Sequence, residues 1–245
     1  MKSRNFQLDT EWCMIHYPDK PSGFGILIIG DDRHFVDSNS SFWTQNEGKS
    51  TLIKKLREQG YTIFYSNLYG RHWGSDKAVD NAKCLYEHIV RTEIINEKIH
   101  IIAEGMGSLV ALKLMHEMGD MIRSAVLINP ILSLKHHLEQ EKEHKFFYKK
   151  LLKEIANSYE VETGKIQDLL DKHEKNLTEG LKVPVRIIQI LSGGRAYKQS
   201  DYLKKRSMQW EKENTPISVF YMLPDKKQRI SFQMTGFLRK YEKEL

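Results

Sequence analysis

The chain has 245 residues, 40% of them hydrophobic, and its 38 Lys and Arg exceed its 32 Asp and Glu, giving a formal net charge of +6. This length fits one α/β domain with an insertion and is short for two full domains. No stretch approaches the roughly 20 apolar residues of a membrane-spanning helix, and no basic block is interleaved with aromatic residues, so we expect no membrane and no nucleic-acid partner.

Strand and helix patterns alternate along almost the whole chain. Strands are predicted over residues 5–12, 13–17, 24–29, 61–65, 98–103, 124–129, 183–191 and 217–223. A polar loop is predicted over 31–46, and helices over 49–59, 106–118, 200–213 and 230–244, with another capped by Ser75. The first two strands form an antiparallel pair. The later β–α repeats imply a mostly parallel central sheet of about eight strands with helices on both faces.

Residues 135–181 interrupt this alternation, because they contain helical patterns and no predicted strand. An apolar stripe runs through them at Phe146, Phe147, Leu151, Leu152 and Ile155. The nine Lys of this segment nearly balance its ten Asp and Glu. We interpret the segment as a small helical cap inserted into a core formed by residues 1–134 and 182–245.

The most specific motif is a strand, a turn and a helix over residues 98–112. The turn reads Ala103-Glu104-Gly105-Met106-Gly107. It resembles the nucleophile elbow of α/β-hydrolases, where G-x-S-x-G lifts a serine above the sheet. Other segments match that superfamily in order: the strand ending at Gly30, the loop Gly70–Ser75, the Val-Pro strand from Val183 and the strand ending at Pro224. The chain therefore resembles the α/β-hydrolase superfamily over residues 5–245, which implies the α/β-hydrolase fold.

The resemblance also implies a triad of serine, acid and histidine, and this chain departs from it at all three positions. The nucleophile position is Gly105. The acid would follow Leu191, where the chain continues Ser-Gly-Gly-Arg, and the histidine would follow Pro224, where it continues Asp-Lys-Lys-Gln-Arg. We therefore assign no catalytic residue and interpret the chain as a pseudoenzyme with a degenerate triad.

Other side chains near these motifs are also candidates for the chemistry. Ser108 lacks the flanking glycines of an elbow and lies within the predicted helix. Glu104 adjoins the vacant position, where it is either a general base for a bound water or a carboxylate hydrogen-bonded to neighbouring loops. His100, in a buried strand, is interpreted as a core histidine, and His72 as a surface or rim residue.

One further motif is set aside. Residues 47–51, Glu-Gly-Lys-Ser-Thr, resemble the end of a phosphate-binding P-loop. Trp43 stands where that motif needs its first glycine, and no strand precedes the loop. Lys49 is therefore assigned to the start of a helix rather than to nucleotide binding.

The emptied elbow still predicts a binding site. Glycine adopts a positive φ freely, so it preserves the turn, and the Met106 N–H at a helix N-terminus favours an anion. Basic residues occur in the loops after the last two strands, whereas acidic residues near the turn would oppose them. The predicted ligand-binding residues are Gly30, Asp31, Glu104, Gly105, Met106, Arg195 and Lys227. We expect neither a metal nor a cofactor.

Three functions remain open at this point. We favour a non-catalytic binding or regulatory protein whose partner is a small, anionic molecule or an acidic protein segment. The alternatives are an ester or thioester hydrolase that uses displaced residues, and a structural or interaction subunit. Residues 1–18 contain no apolar core of a secretion signal, and Cys13 and Cys84 are too few for a disulfide framework, so we expect a cytoplasmic protein.

Overall fold

The computed structural model describes residues 3–173 and 177–242, and the side chains of 172–173, 193–199 and 227–228 lie outside the description. The strands are β1 (Ser3–Leu8), β2 (Glu11–His16), β3 (Gly25–Ile29), β4 (Thr62–Ser66), β5 (Ile99–Glu104), β6 (Ile122–Ile128), β7 (Val185–Ile190) and β8 (Ile217–Met222). Over the described range they form one eight-stranded sheet in the order β1-β2-β4-β3-β5-β6-β7-β8. The pairs β1–β2 and β2–β4 are antiparallel, and the remaining pairs are parallel. This confirms the mostly parallel sheet predicted from the sequence.

The opening hairpin turns earlier than predicted. We expected the turn between Trp12 and Cys13, but Trp12 lies within β2 and pairs with Gln7. The chain reverses at Asp9 and Thr10, where Asp9 has a φ of +54°. Aspartate is one of the few non-glycine residues that enter the left-handed region with ease, and this local preference sets the register.

The helices are α1 (Phe42–Gln45), α2 (Glu47–Glu58), α3 (Asp76–Thr92), α4 (Gly107–Glu117), α5 (Leu134–Glu141), α6 (Lys145–Ser158), α7 (Ile166–His173), α8 (Gly193–Lys212) and α9 (Ile230–Leu238). Helix α1 lies inside the predicted polar loop and begins with a capping box between Ser41 and Thr44. Helix α8 begins at Gly193, seven residues before the predicted start. Its first two residues are glycines, which have low helix propensity, so the sequence pattern does not predict that the helix starts there.

The two faces of the sheet carry separate apolar cores. Residues of β3 alternate between them, with Leu27 and Ile29 on one face and Ile26 and Ile28 on the other. The first face is covered by α3, α4 and α8, and the second by α2 and α9. A strand buried on both faces is the environment that its unbroken apolar run predicts.

Helices α5, α6 and α7 lie between β6 and β7 and share a third apolar cluster. Leu151 and Ile155 of α6 are buried there against Met106 and Leu109 of the central domain. The three helices therefore pack over the elbow. The division into a core of residues 1–134 and 182–245 and a cap of residues 135–181 remains a prediction. Within the described part of the chain, no helix is both long and apolar enough to cross a membrane.

Candidate functional site

The elbow is a tight turn between β5 and α4 that is tied to the neighbouring strand. Gly105 has a φ of +49°, which glycine adopts without strain. Its N–H donates to the Ile128 carbonyl at 3.1 Å, and its own carbonyl accepts from the Ile131 N–H at 3.0 Å. The turn is thus held in place at the end of β6 as well as by its own two elements.

The space above Gly105 is filled by the carboxylate of Asp31. A Cβ atom built on Gly105 would lie 2.1 Å from Asp31 Oδ1, far inside van der Waals contact. The same Oδ1 accepts a hydrogen bond from the Met106 N–H at 3.0 Å. The Met106 N–H, which the sequence predicts as a donor to an anion, is thus bonded to a carboxylate supplied by the chain itself.

Asp31 is positioned by a packed loop behind it. The Asp31 carbonyl accepts from the His34 N–H at 2.8 Å, and a Cβ on Gly30 would lie 2.3 Å from His34 Cγ. Trp43 Nε1 donates to His34 Nδ1 at 3.1 Å, which leaves the proton on Nε2 to bond the Ser66 carbonyl at 2.8 Å. Burial lowers the pKa of His34 to about 4 and keeps the ring neutral. Gly30 therefore supports the loop and does not line the cleft.

The second acidic residue of the site, Glu104, is ion-paired with Lys49 of α2. The Glu104 side chain is only 12% exposed. Lys49 Nζ also lies 4.7 Å from the centre of the Trp43 ring, a cation–π contact. Of the two sequence interpretations of Glu104, this contact favours a carboxylate bonded to its neighbours, because the lysine engages the oxygens that a general base would offer to water.

A cleft of about 800 Å³ opens beside these groups. It is bounded by the first turns of α2, the carboxyl ends of β5, β6 and β7, and the start of α9. Its charged lining consists of three carboxylates and two ammonium groups, namely Asp31, Glu47, Glu104, Lys49 and Lys55. Its apolar wall is formed by Leu52, Ile128, Ile190 and Ile230. No histidine is among the described residues that line it.

The structure brings together three of the seven predicted site residues. Asp31, Glu104 and Gly105 line the cleft. The Met106 side chain is fully buried in the third apolar cluster, so only its N–H reaches the site.

Two predicted residues remain to be placed. Arg195 lies in α8, and its side chain is outside the described residues. Lys227 lies in the 3₁₀ turn Pro224–Arg229, and its side chain is likewise outside them.

Sequence reasoning missed the contributions of α2 and α9 to the site. Lys49 was assigned only to a helix start, and its backbone N–H indeed donates to the N-cap Asn46 Oδ1 at 3.2 Å. Lys55 Nζ donates to Ser231 Oγ at 3.2 Å, across 176 positions of sequence. No local pattern signals this proximity, because it arises from packing of α2 against α9 on one face of the sheet.

The other candidate side chains are accounted for. Ser108 is fully buried in α4, and its Oγ has no hydrogen-bond partner among the described atoms. His100 is buried in β5, as predicted, and its Nδ1 lies 2.8 Å from Ser124 Oγ. The placement of His72 at the surface or rim was wrong, because it is 2% exposed. Burial lowers the pKa of His72 to about 3.

The chain is similar to known hydrolases in both sequence and structure. A family model described as serine aminopeptidase, S33, matches residues 50–222. A puromycin-hydrolysing peptidase from Mycobacterium tuberculosis superposes with a TM-score of 0.72 at 13% identity, over 98% of this chain and 39% of the peptidase, so this chain spans well under half of that protein. No curated protein sequence matches.

Two smaller proteins match over nearly their whole length. Est1E from Butyrivibrio proteoclasticus has a TM-score of 0.65 at 11% identity, covering 100% of both chains. An S-formylglutathione hydrolase from Staphylococcus aureus has a TM-score of 0.64 at 13% identity, covering 96% of this chain and 97% of that one. Together with the sheet order, these likenesses confirm the α/β-hydrolase fold predicted from the sequence.

Proposed function

The chain belongs to the serine aminopeptidase S33 family, and from that premise we propose that it is a non-catalytic member that binds a small anionic molecule in the cleft beside Gly105. The observation that carries the proposal is the position of Asp31. Its carboxylate bonds the Met106 N–H and fills the space in which a side chain at position 105 would begin. A site arranged in this way holds a carboxylate on the Met106 N–H and has no room for a nucleophilic side chain at position 105.

The described cleft offers little for acyl transfer, which needs a nucleophile beside a base and free donors for the developing oxyanion. The Met106 N–H is occupied by Asp31. Ser231 is the serine among the described lining residues, and its neighbour Lys55 is exposed. A lysine that serves as a base is normally desolvated, so this pair supports a hydrolase poorly.

The shape and chemistry of the cleft indicate the kind of ligand. Its volume of about 800 Å³ falls in the range of small-molecule sites, which favours a small molecule over a protein segment. The wall of leucine and isoleucine suits a short apolar chain. The carboxylates of the lining outnumber its ammonium groups, which disfavours an anion that leaves Asp31 in place. An anionic ligand must therefore replace Asp31 on the Met106 N–H. Both cysteines are unpaired, which supports a cytoplasmic location as part of the proposal.

The test compares octanoate with octanol, its uncharged counterpart, by isothermal titration calorimetry. Asp31→Ala frees the Met106 N–H and removes a competing charge, so octanoate should bind about tenfold tighter, equivalent to about 1.4 kcal/mol. Octanol should bind the variant and the native protein alike. Asp32→Ala is the matched control, because Asp32 is an exposed neighbour. Octanoate affinity that is unchanged or weakened in Asp31→Ala would overturn the anionic ligand.

The absence of catalysis is tested separately with a panel of ester and thioester substrates and a fluorophosphonate probe. The native protein should show neither turnover nor labelling. Labelling abolished by Ser231→Ala, and retained by the buried control Ser108→Ala, would instead establish a hydrolase that uses a displaced serine.

A further inference from the structure

The N-terminal turn of α6 exposes two adjacent aromatic rings. Phe146 is 76% exposed and Phe147 is 54% exposed. Their rings meet edge to face, with centroids 5.7 Å apart and an interplanar angle of 83°. Both belong to the apolar stripe of the sequence, but the members of that stripe buried in the third apolar cluster are Leu151 and Ile155. The pair is therefore an apolar surface that the fold itself does not cover.

Exposed lysines surround these rings. Between residues 142 and 153 the chain has five lysines and one acidic residue, Glu143. The five lysines, all exposed, are Lys142, Lys145, Lys149, Lys150 and Lys153. The next acidic residue, Glu154, accepts hydrogen bonds from Arg71 and Trp73 in the loop after β4. Its carboxylate also lies 3.8 Å from Lys150 Nζ. Residues 135–181 are nearly neutral as a whole, but their lysines are concentrated at 142–153, on both sides of the phenylalanines in the sequence.

We propose that this Phe–Lys surface, formed by Phe146, Phe147 and the five lysines, docks on a bilayer of anionic phospholipids. Aromatic rings insert at the boundary between headgroups and acyl chains, while lysine ammonium groups reach back to the phosphates. Each lysine near such a surface contributes additional electrostatic attraction. The proposal departs from the expectation of no membrane partner, which rested on the absence of a spanning segment and of a basic block interleaved with aromatics.

The small area of the rings favours a lipid surface over a protein partner. Two phenylalanines bury at most about 500 Å², well below the ~800 Å² that each side of a stable protein interface buries. A bilayer requires only anchoring side chains and complementary charge. The helix that carries this surface is anchored to the rest of the fold, because its Leu151 and Ile155 side chains are buried in the third apolar cluster.

The test is vesicle flotation with the full chain, comparing phosphatidylglycerol–phosphatidylcholine vesicles with phosphatidylcholine alone. Binding should require phosphatidylglycerol and weaken with added salt. Phe146→Ala/Phe147→Ala and Lys145→Glu/Lys149→Glu should each reduce the bound fraction about tenfold. The matched controls are Phe232→Ala/Ile94→Ala, exposed by 74% and 97%, and Lys54→Glu/Lys205→Glu, both exposed lysines. Neither control should change binding.

Circular dichroism and thermal melting should be unchanged in the phenylalanine variant, since its rings are exposed, so a loss of binding is not a loss of folding. The proposal is overturned if phosphatidylglycerol vesicles are not bound, or if the control variants weaken binding equally. It is also overturned if the native chain is a dimer that Phe146→Ala/Phe147→Ala converts to a monomer, which would make a second copy the occupant. These outcomes are independent of whether the cleft binds octanoate.

Discussion

The position of the Asp31 carboxylate accounts for the glycine at position 105. The left-handed φ of +49° favours glycine by itself, but the stronger constraint is the carboxylate that occupies the place of a Cβ atom. Asp31 in turn stays there because it satisfies the Met106 N–H, a donor that a buried helix start would otherwise leave unpaired. A glycine at position 105 therefore makes room for the hydrogen bond between Asp31 and the Met106 N–H.

Two effects of a side chain at position 105 can be separated by substitution. Gly164 has no positive φ, and a Cβ atom built on it would contact no other atom. Gly70 also has space for a Cβ atom, but its φ is +71°. We expect Gly164→Ala to be nearly neutral and Gly70→Ala to cost about 1 kcal/mol in free energy of unfolding. Gly105→Ala should cost about 1–3 kcal/mol more than Gly70→Ala, since it also overlaps Asp31.

Urea unfolding measures these differences, and a double-mutant cycle assigns them. Adding Asp31→Gly to Gly105→Ala should recover the additional cost. Additive losses in the double variant would contradict a clash between the two residues. Gly105→Ser should be destabilised similarly and show no ester turnover.

At the scale of elements, the sequence predicted the strands and the part of the site that follows them. Asp31, Glu104 and Gly105 each come directly after a buried apolar run, and the carboxyl ends of parallel strands meet at one edge of a sheet. Helix boundaries were predicted less accurately, because α8 begins with two glycines, which are poor helix formers. Lys49, Lys55 and Ser231 were not predicted as site residues, since their proximity depends on how α2 and α9 pack.

The attachment of α6 to the central domain gives a prediction at this scale. Glu154, 16% exposed, accepts from Arg71 and from Trp73 Nε1 at 3.1 Å. Glu154→Ala leaves the indole N–H without this acceptor, and we expect a local cost of about 1–3 kcal/mol. Amide hydrogen exchange across α6 should become about tenfold faster, while the amides of β5 keep their protection.

The matched control is Glu160→Ala, because Glu160 is 74% exposed and pairs with Lys77 at 3.6 Å. It should leave exchange in α6 unchanged. Faster exchange in β5 as well as α6 would mean that Glu154 supports the whole domain instead of one attachment.

For the whole molecule, four buried histidines among the described side chains couple folding to pH. Burial lowers the pKa of one of them, His100, below its ordinary value. Desolvation lowers the pKa of His16 and His34 to about 4 and that of His72 to about 3, from an ordinary 6.5. Between pH 6.5 and pH 4 the unfolded chain therefore binds more protons than the native one. The stability contributed by the neutral rings is present above pH 6.5 and is lost as the pH falls through this window.

Each such histidine should lower the free energy of unfolding by about 1.4 kcal/mol per pH unit well inside the window. Urea unfolding from neutral pH down to pH 4 measures the slope. His16→Gln, which retains a partner for the Tyr65 hydroxyl now 2.7 Å from Nε2, should make the slope shallower. The exposed His144→Gln should not, and identical slopes in these two variants would contradict the assignment.

Trp43 has a consequence for how the cleft can be observed. This fully buried indole donates to His34, behind the Asp31 loop, and its ring faces the ammonium of Lys49, the partner of Glu104. One chromophore therefore contacts the residues bonded to Asp31 and to Glu104, two of the three carboxylates that line the cleft. Displacement of either carboxylate changes the surroundings of that indole, so Trp43 fluorescence can report whether the proposed ligand occupies the cleft.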